Sequence, residues 1–471
     1  MPDVLATPAQ DDLVVVDKFT GEEIAVLPQL TAEQALDALD IAQTATATAA
    51  ALSRHRRAAI LDGAAMLLRE RSESVSQLIV SEAGKTIRQA RKEVSRAVNT
   101  LLLSAAEARR NAGEVIPFDS FPGDENRLGW YSREPLGLIV AITPYNDALN
   151  LVAHKLGPAL AGGNAVLLKP SQQTPLTAQL LVDLLYESGL PDNVITVVRG
   201  NRQVAQALVR ARNVRMVSFT GGFATGQAIA ASAGIKKLAM ELGGNAPVLV
   251  FEDADLELAV KAAVSGSFWA AGQNCIGAQR ILVQRSVFPA FLKAFVAATE
   301  RLVSGNPRLD ATDVGPMISA QAAETARTKI QEAVADGATL LTGGVRNGSV
   351  LTPAVLTGVP RTCRLWHEEV FAPIVVVEPF DDERSAILAA NDSDYALQAG
   401  VFTSDLDRAL RVAESIDAGG VMINDSSDYR LDSMPFGGSK YGSMGREGVR
   451  FAYEEMTQPK VVAISRSSAR G

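Results

Sequence analysis

The sequence is poor in the residues that staple small folds or bind metals. Only two of its 471 residues are cysteine, Cys275 and Cys363, which excludes a disulfide framework and fits a reducing compartment. Three histidines, His55, His154 and His367, are too few and too scattered for a zinc site. Neither H-E-x-x-H nor C-x-x-C occurs, so no metal is expected. Basic residues are not in excess: 45 Lys and Arg stand against 53 Asp and Glu, a net charge of −8. Neither nucleic acid nor a membrane is therefore expected as a partner. No uncharged apolar run reaches membrane-spanning length. The opening Met-Pro-Asp-Val-Leu-Ala-Thr-Pro has no basic segment followed by an apolar one, so no signal peptide is expected and a cytoplasmic location is. No period of 20 to 50 residues repeats, which excludes a solenoid. What is there is ordinary for a soluble enzyme with a large core: 47% hydrophobic and 21% charged residues, over a length that suggests two to four domains.

Residues 31–112 read as helices, opened by a Thr31/Gln34 capping box and interrupted at Gly84. From residue 136 short apolar runs begin, at 136–142, 164–168, 193–198, 214–219 and 236–240, each with the look of a buried strand. Helical segments near 148–160, 174–189, 203–211 and 223–233 separate them. This alternation predicts an α/β fold with an open parallel sheet, whose ligands bind beyond the carboxyl ends of the strands. A second alternating block, about 255–430, carries a helix ending near Gly272 and strands near 279–284, 372–378, 398–402 and 419–424. The tail P-K-V-V-A-I (459–464) is a strand without a neighbour in sequence, expected to pair with another subunit. The polar segment 117–130 is expected to share that contact.

Five short stretches carry chemistry. Cys275, in A-A-G-Q-N-C-I-G (270–277), reads either as a small buried side chain or as a nucleophile. V-S-F-T-G-G-F-A-T-G (217–226) ends a strand and opens a helix, a place for a pyrophosphate, although a simple tight turn fits it equally. It is not a Walker A loop, because Gln227 and Ala228 stand where Lys and Ser/Thr are required. Lys169, in L-L-K-P-S-Q-Q, follows a strand and suits a ribose or phosphate, or else is a solvated surface lysine. Asn146, in A-I-T-P-Y-N-D, is an oxyanion donor or a turn former. Glu241, in M-E-L-G-G-N, is a carboxylate among apolar residues, either paired or a base of raised pKa.

Taken together, these stretches resemble the aldehyde dehydrogenase superfamily. The carriers are T-P-Y-N with Asn146, K-P-S with Lys169, F-T-G-G-x-x-x-G, E-L-G-G with Glu241, G-Q-x-C with Cys275, E-E-V-F-A-P (368–373), and P-F-G-G-S-K (435–440) followed by G-R-E-G (445–448), in order over nearly the whole chain. The resemblance implies two open α/β sheet domains plus a small β oligomerisation element. A Rossmann-like NAD(P)-binding domain would span 1–112 and 134–242, a catalytic domain 243–450, and the oligomerisation domain 113–133 and 451–471. It also implies a homodimer or homotetramer. Cys275 would attack an aldehyde, with Asn146 and the Cys275 N–H holding the oxyanion, Lys155 supporting Asn146, Glu241 activating water and Glu447 relaying protons. Glu241 is usually missing from relatives that transfer the acyl group to coenzyme A, so a free acid is the expected product. Cofactor contacts would come from Ile142, Thr143, Pro144, Tyr145, Lys169, Ser171, Gln172, Phe219, Thr220, Gly221, Gly222, Thr225, Gly226, Leu242, Glu369 and Phe371.

The chain departs from the family pattern at Gln172, Gly222, Ala372 and Gly442-Ser443. Gln172 replaces an acid that repels a 2′-phosphate, so NADP is expected to be tolerated beside NAD. The substrate funnel is more polar than usual. Arg96, Asn150, His154 and Arg430, with Asn274 and Ile276 beside the thiol, are the expected substrate contacts. Three basic groups in one funnel would bind an anion. The look of residues 141–200 and 236–285 is most similar to lactaldehyde and phosphonoacetaldehyde dehydrogenases. Phosphonoacetaldehyde is therefore the leading substrate expected, with lactaldehyde, succinic semialdehyde or another small polar aldehyde as alternatives. Arg96 as a surface residue, Arg430 paired with Asp428 or Asp432, and His154 as a packed ring are the bland readings of those positions. A catalytically silent nucleotide-binding protein on the same fold is the alternative of another class.

Overall fold

A computed structural model describes residues 12–110 and 112–466. The opening octapeptide and the last five residues of the expected oligomerisation domain lie outside that range. The N-terminal part is a layer of four helices, Ala32–Ala51, Arg54–Glu70, Ser72–Ala83 and Ile87–Arg110. The Thr31/Gln34 capping box is present. Gly84 ends the third helix at φ 75°, a left-handed conformation that glycine adopts without a Cβ penalty.

The first sheet consists of the runs expected from sequence: Leu138–Ile142, Ala165–Lys169, Ile195–Val197, Met216–Thr220 and Lys237–Glu241, all parallel. Three of these strands are buried along their whole length, as expected for a sheet covered on both faces. Strand order reverses between Leu138–Ile142 and Met216–Thr220, which lie side by side while their successors fan out in opposite directions. The loops after Ile142 and Thr220 therefore flank a topological switch point, where an open α/β sheet leaves a crevice. The short strand Ser443–Met444 adds antiparallel to Lys237–Glu241, with Ser443 opposite Glu241. This pairing brings the 443–447 turn to the same crevice.

A second sheet of seven strands runs in the order Thr339–Thr342, Ala354–Thr357, Ile374–Phe380, Ala278–Gln284, Ala246–Val250, Gln398–Phe402, Gly420–Ile423. All neighbours are parallel except the first pair. Ala246–Val250, beside the central strand, Ala354–Thr357 and Thr339–Thr342 are not among the strands read from sequence. Each sheet has its own hydrophobic core, one drawn from residues 35–242 with Tyr453 and Met456, the other from residues 248–416.

The tail strand corrects the sequence reading. Thr457–Ser465 pairs antiparallel with Arg127–Pro135 of its own chain, in continuous register from Thr457 opposite Pro135 to Ser465 opposite Arg127. Gly113–Val115 completes this three-stranded sheet. The part of 117–130 read as polar linker thus includes the start of the central strand. No helix among the described residues is long and apolar enough to cross a membrane.

Candidate active site

Cys275 follows a helix that stops abruptly. Leu256–Phe268 gives way to the turn Trp269–Gly272, in which Ala270 (φ 50°), Ala271 (φ 55°) and Gly272 (φ 68°) are consecutively left-handed. Two alanines in that region cost roughly 1–2 kcal/mol each, strain of the kind that accumulates at functional turns. The turn leaves Cys275 partly exposed in a cavity of about 1470 Å3 that spans both sheets. Gly244 is what admits it: a Cβ there would sit 1.9 Å from the Cys275 carbonyl oxygen. Asn274 turns its side-chain oxygen to the Ile276 N–H at 3.3 Å. Burial, and then Glu369, push the Cys275 thiol up, while Arg430 pulls it down.

Glu241 and Glu447 share the cavity with the thiol. Glu241 ends its strand buried, and its Oε2 has no hydrogen-bond partner. Desolvation, followed by the charge of Glu447, raises its pKa well above the ordinary carboxylate value. Glu447 is the opposite case. Burial works against its charge, yet Lys155 and Arg430 pull its pKa down to about 2. Its Oε1 accepts from Lys155 Nζ (3.3 Å) and Thr220 Oγ1 (3.2 Å), and its Oε2 from Arg430 Nη2 (2.9 Å). The other partner of Lys155 is Ser218 Oγ at 3.1 Å, and the expected bond to Asn146 is not formed. Asn146 lines the cavity beside Cys275, Asn274 and Ile276.

The expected cofactor residues fall into two groups. Pro144, Tyr145, Phe219, Thr220, Gly221, Gly222, Thr225, Leu242, Glu369 and Phe371 line the cavity. Ile142, Thr143, Lys169, Ser171, Gln172 and Gly226 do not, and the first four of these follow the ends of two adjacent strands in register, Ile142 opposite Lys169. Glu369 accepts from the Gly244 N–H at 2.9 Å, and burial raises its pKa to about 7. Phe371, at φ 50°, meets Tyr145 edge-on with centroids 5.9 Å apart. The Lys169 side chain is buried with no ion-pair or hydrogen-bond partner among the described residues, and desolvation lowers its pKa to about 8.

The substrate side differs from the sequence reading. Arg96 and Arg430 line the cavity, but Asn150 and His154 do not. Both lie on the fully buried helix Asn150–Gly162 and turn to Asp432: Asn150 Nδ2 donates to its Oδ1 at 3.1 Å, and His154 Nε2 lies 3.0 Å from the same atom. Burial holds the His154 pKa below its ordinary value, so it is not the third cation of an anion site. Arg96 bridges Asp147 (3.2 Å) and Asp432 (2.9 Å). Arg430 pairs with Glu447 rather than with Asp428 or Asp432. The Nε atoms of Arg96 and Arg430 are buried without an acceptor.

Residues 6–462 match the sequence profile described as the Aldehyde dehydrogenase family. The chain belongs to that family. It is 64% identical to the aldehyde-dehydrogenase-like protein y4uC of Sinorhizobium fredii over 88% of this chain and 81% of that one. It is 56% identical to aspartate-semialdehyde dehydrogenase 1 of Pseudomonas canavaninivorans over 96% of both. Among solved structures, aldehyde dehydrogenase 21 of Physcomitrella patens, in complex with the product succinate, superposes with a TM-score of 0.95 at 36% identity, covering 98% of this chain and 96% of that one. Glyceraldehyde-3-phosphate dehydrogenase GapN of Methanocaldococcus jannaschii, complexed with NADP, gives 0.93 at 38% identity, covering 97% and 100%.

This aldehyde dehydrogenase also uses residues that no motif singles out. Lys85 forms a buried pair with Glu93 at 2.7 Å and contacts Asp147, while Glu93 accepts from the Leu149 and Asn150 N–H groups. The signal for Glu93 is its place on an apolar stripe with Ala90, Val94 and Ala97, all buried. A charge on such a stripe requires a buried partner. Phe436, from the P-F-G-G-S-K stretch, lies under the Arg430 guanidinium, with its ring centre 3.7 Å away.

Proposed function

We propose that the chain oxidises a small aldehyde bearing an anionic group to the free carboxylic acid with NAD or NADP, through an acyl group carried on Cys275. The residues present suit a dinucleotide. Gly221 and Gly222 precede the helix Phe223–Ser232, and the space beside Gly222 is open, as an anion at a helix N-terminus requires. The unpartnered Lys169 suits a ribose or phosphate, and Glu369 at Gly244 suits the nicotinamide end. Gln172 donates to Gln29, and with no carboxylate at position 172 a 2′-phosphate meets no repulsion there. On this reading residues up to 112 and 134–242 form the NAD(P)-binding domain, 243–450 the catalytic domain, and 113–133 with 451–471 the oligomerisation domain of a homodimer or homotetramer.

The reaction begins with attack of Cys275 Sγ, as the thiolate, on the aldehyde carbon, the thiol proton having passed to solvent. The Asn146 amide and the Cys275 N–H hold the thiohemiacetal oxyanion, each donor contributing about 3 kcal/mol by analogy with acyl-transfer enzymes. A nicotinamide held beside Glu369 and Phe371 would supply the hydride acceptor, and loss of hydride from that carbon leaves a thioester on Cys275. Glu241 then takes a proton from water as the water attacks the thioester, and acid and free thiol result. Its raised proton affinity suits a base working near neutral pH.

One observation carries the substrate class: two arginines line the thiol's cavity with buried, unpartnered Nε–H groups. Two guanidinium groups lining one cavity favour an anionic group on the substrate. Asp147, Asp425, Asp428 and Asp432 line the same cavity. A lining with both signs of charge favours a substrate with both, and the relative named for aspartate semialdehyde points the same way. Aspartate semialdehyde therefore ranks ahead of phosphonoacetaldehyde, succinic semialdehyde and lactaldehyde. The test is kcat/KM on these four and on hexanal, with NAD and with NADP. The proposal expects aspartate semialdehyde first and hexanal last by at least about 100-fold, the scale of one desolvated charged hydrogen bond. A preference for hexanal contradicts it.

A further inference from the structure

Arg430, Phe436 and Glu447 form one rigid unit. Phe436 and Glu447 exchange backbone hydrogen bonds in an isolated antiparallel bridge, Phe436 N to Glu447 O at 3.0 Å and Glu447 N to Phe436 O at 2.7 Å. The Arg430 guanidinium stacks on the Phe436 ring at 3.7 Å and donates Nη2 to Glu447 Oε2 at 2.9 Å. It thus spans both members of the bridge. Arg430 is nearly buried, with a side-chain exposure of 8%, and the opposite oxygen of Glu447 is held by Lys155 and Thr220. Neither oxygen of Glu447 is left without a donor, whereas Glu241 Oε2 has none.

We propose that Arg430 is a positioning residue that fixes Glu447 as a permanent anion on this bridge, leaving Glu241 as the carboxylate that carries the proton. The division of labour rests on the catalytic roles given to Cys275 and Glu241 above. The charged groups facing Glu447 are Lys155, Arg430 and Glu241, beside the His154 ring; those facing Cys275 are Glu369, Arg430, Glu241 and Glu447, and those facing Glu241 are Glu447, Arg430, Lys155 and Arg446. Arg430 is the one cation common to all three sets. With Arg430 removed, Lys155 still holds Glu447 ionised. Cys275 then keeps its neighbouring anions and loses the cation that offset them, and Glu241 loses Arg430 while keeping Lys155 and Arg446, so both bind their protons more tightly.

The test is the pH dependence of Cys275 alkylation by iodoacetamide, measured without cofactor or aldehyde, alongside the pH profile of kcat. R430M is expected to move both profiles to higher pH by about one unit, which slows alkylation about tenfold at a fixed pH below the thiol's titration. R430K, which keeps the charge, is expected to restore most of the shift. E447Q tests the same claim from the other side: with the anion removed and Arg430 kept, alkylation moves to lower pH. An R430M alkylation profile superimposed on the wild type overturns the proposal, as does an E447Q alkylation profile that does not move. Because alkylation needs no substrate, this failure is distinct from failure of the anionic-substrate reading, which shows in KM alone.

Discussion

Glu241, Glu447 and Cys275 lie in one cavity, and their surroundings drive the two carboxylates apart. Glu241 has a bare oxygen and a raised proton affinity, and Glu447 is saturated with donors and held near 2. Separation of two nearby acids in this way assigns the base. Glu241→Gln is therefore expected to lower steady-state kcat by roughly 10²–10⁴-fold, the range for loss of a general base. A rapid first turnover of NAD(P)H should survive, because hydride transfer precedes hydrolysis. Stopped-flow absorbance at 340 nm checks this, and a full steady-state rate would remove Glu241 from the mechanism. Glu241 was legible in sequence because a carboxylate at an apolar strand end is either paired or holds its proton more tightly. The partner of Arg430 was not. Asp428 and Asp432 are its neighbours along the chain, but Glu447, 17 residues on, is what the bridge to Phe436 brings to it. Such pairing depends on tertiary register, to which local sequence gives no access.

At the scale of the element, the site is built from strand ends and tight turns. The strand ends were readable because parallel strands leave short apolar runs closed by loops, and each of the five parallel strands of the first sheet matched a run to within two residues at each end. The left-handed turn before Cys275 was not readable, since Ala270 and Ala271 carry no signal for positive φ. Two glycines set a contrast. A Cβ at Gly244 would meet the Cys275 carbonyl oxygen at 1.9 Å, while one at Gly222 meets nothing within 4 Å. Gly244→Ala is expected to displace the thiol loop, lowering kcat about 100-fold and stability by about 1–3 kcal/mol. Gly222→Ser, at a helix N-cap with φ −65°, is expected to leave stability unchanged or slightly higher. Thermal denaturation with steady-state kinetics checks both, and equal effects of the two changes would contradict the contact geometry.

At the scale of the molecule, two cores meet across the cavity and a third, small sheet stands apart. The sequence assigned the tail strand to another subunit because no neighbour along the chain could pair with it. Its partner, Arg127–Pro135, lies largely within the segment that the resemblance joined to the tail in one domain, but the pairing within one chain was not read, because that strand carries charge and no continuous apolar run. The sheet exposes Val115, Leu128, Trp130, Val461 and Ile464. An apolar group of this kind on an open β edge is suited to association between copies. Replacement of Val461 and Ile464 by lysine is expected to shift the protein to a smaller assembly in light scattering coupled to size exclusion. An unchanged mass would remove this face from the oligomer contact.

The central claim is that Cys275 carries the acyl group. The direct measurement is intact-protein mass spectrometry of the Glu241→Gln variant after incubation with NAD(P) and aspartate semialdehyde, followed by peptide mapping. The predicted result is one acyl adduct per chain, located on Cys275 and absent from the Cys275→Ala double variant. Steady turnover by the Cys275→Ala enzyme, or an adduct that maps elsewhere, would contradict it.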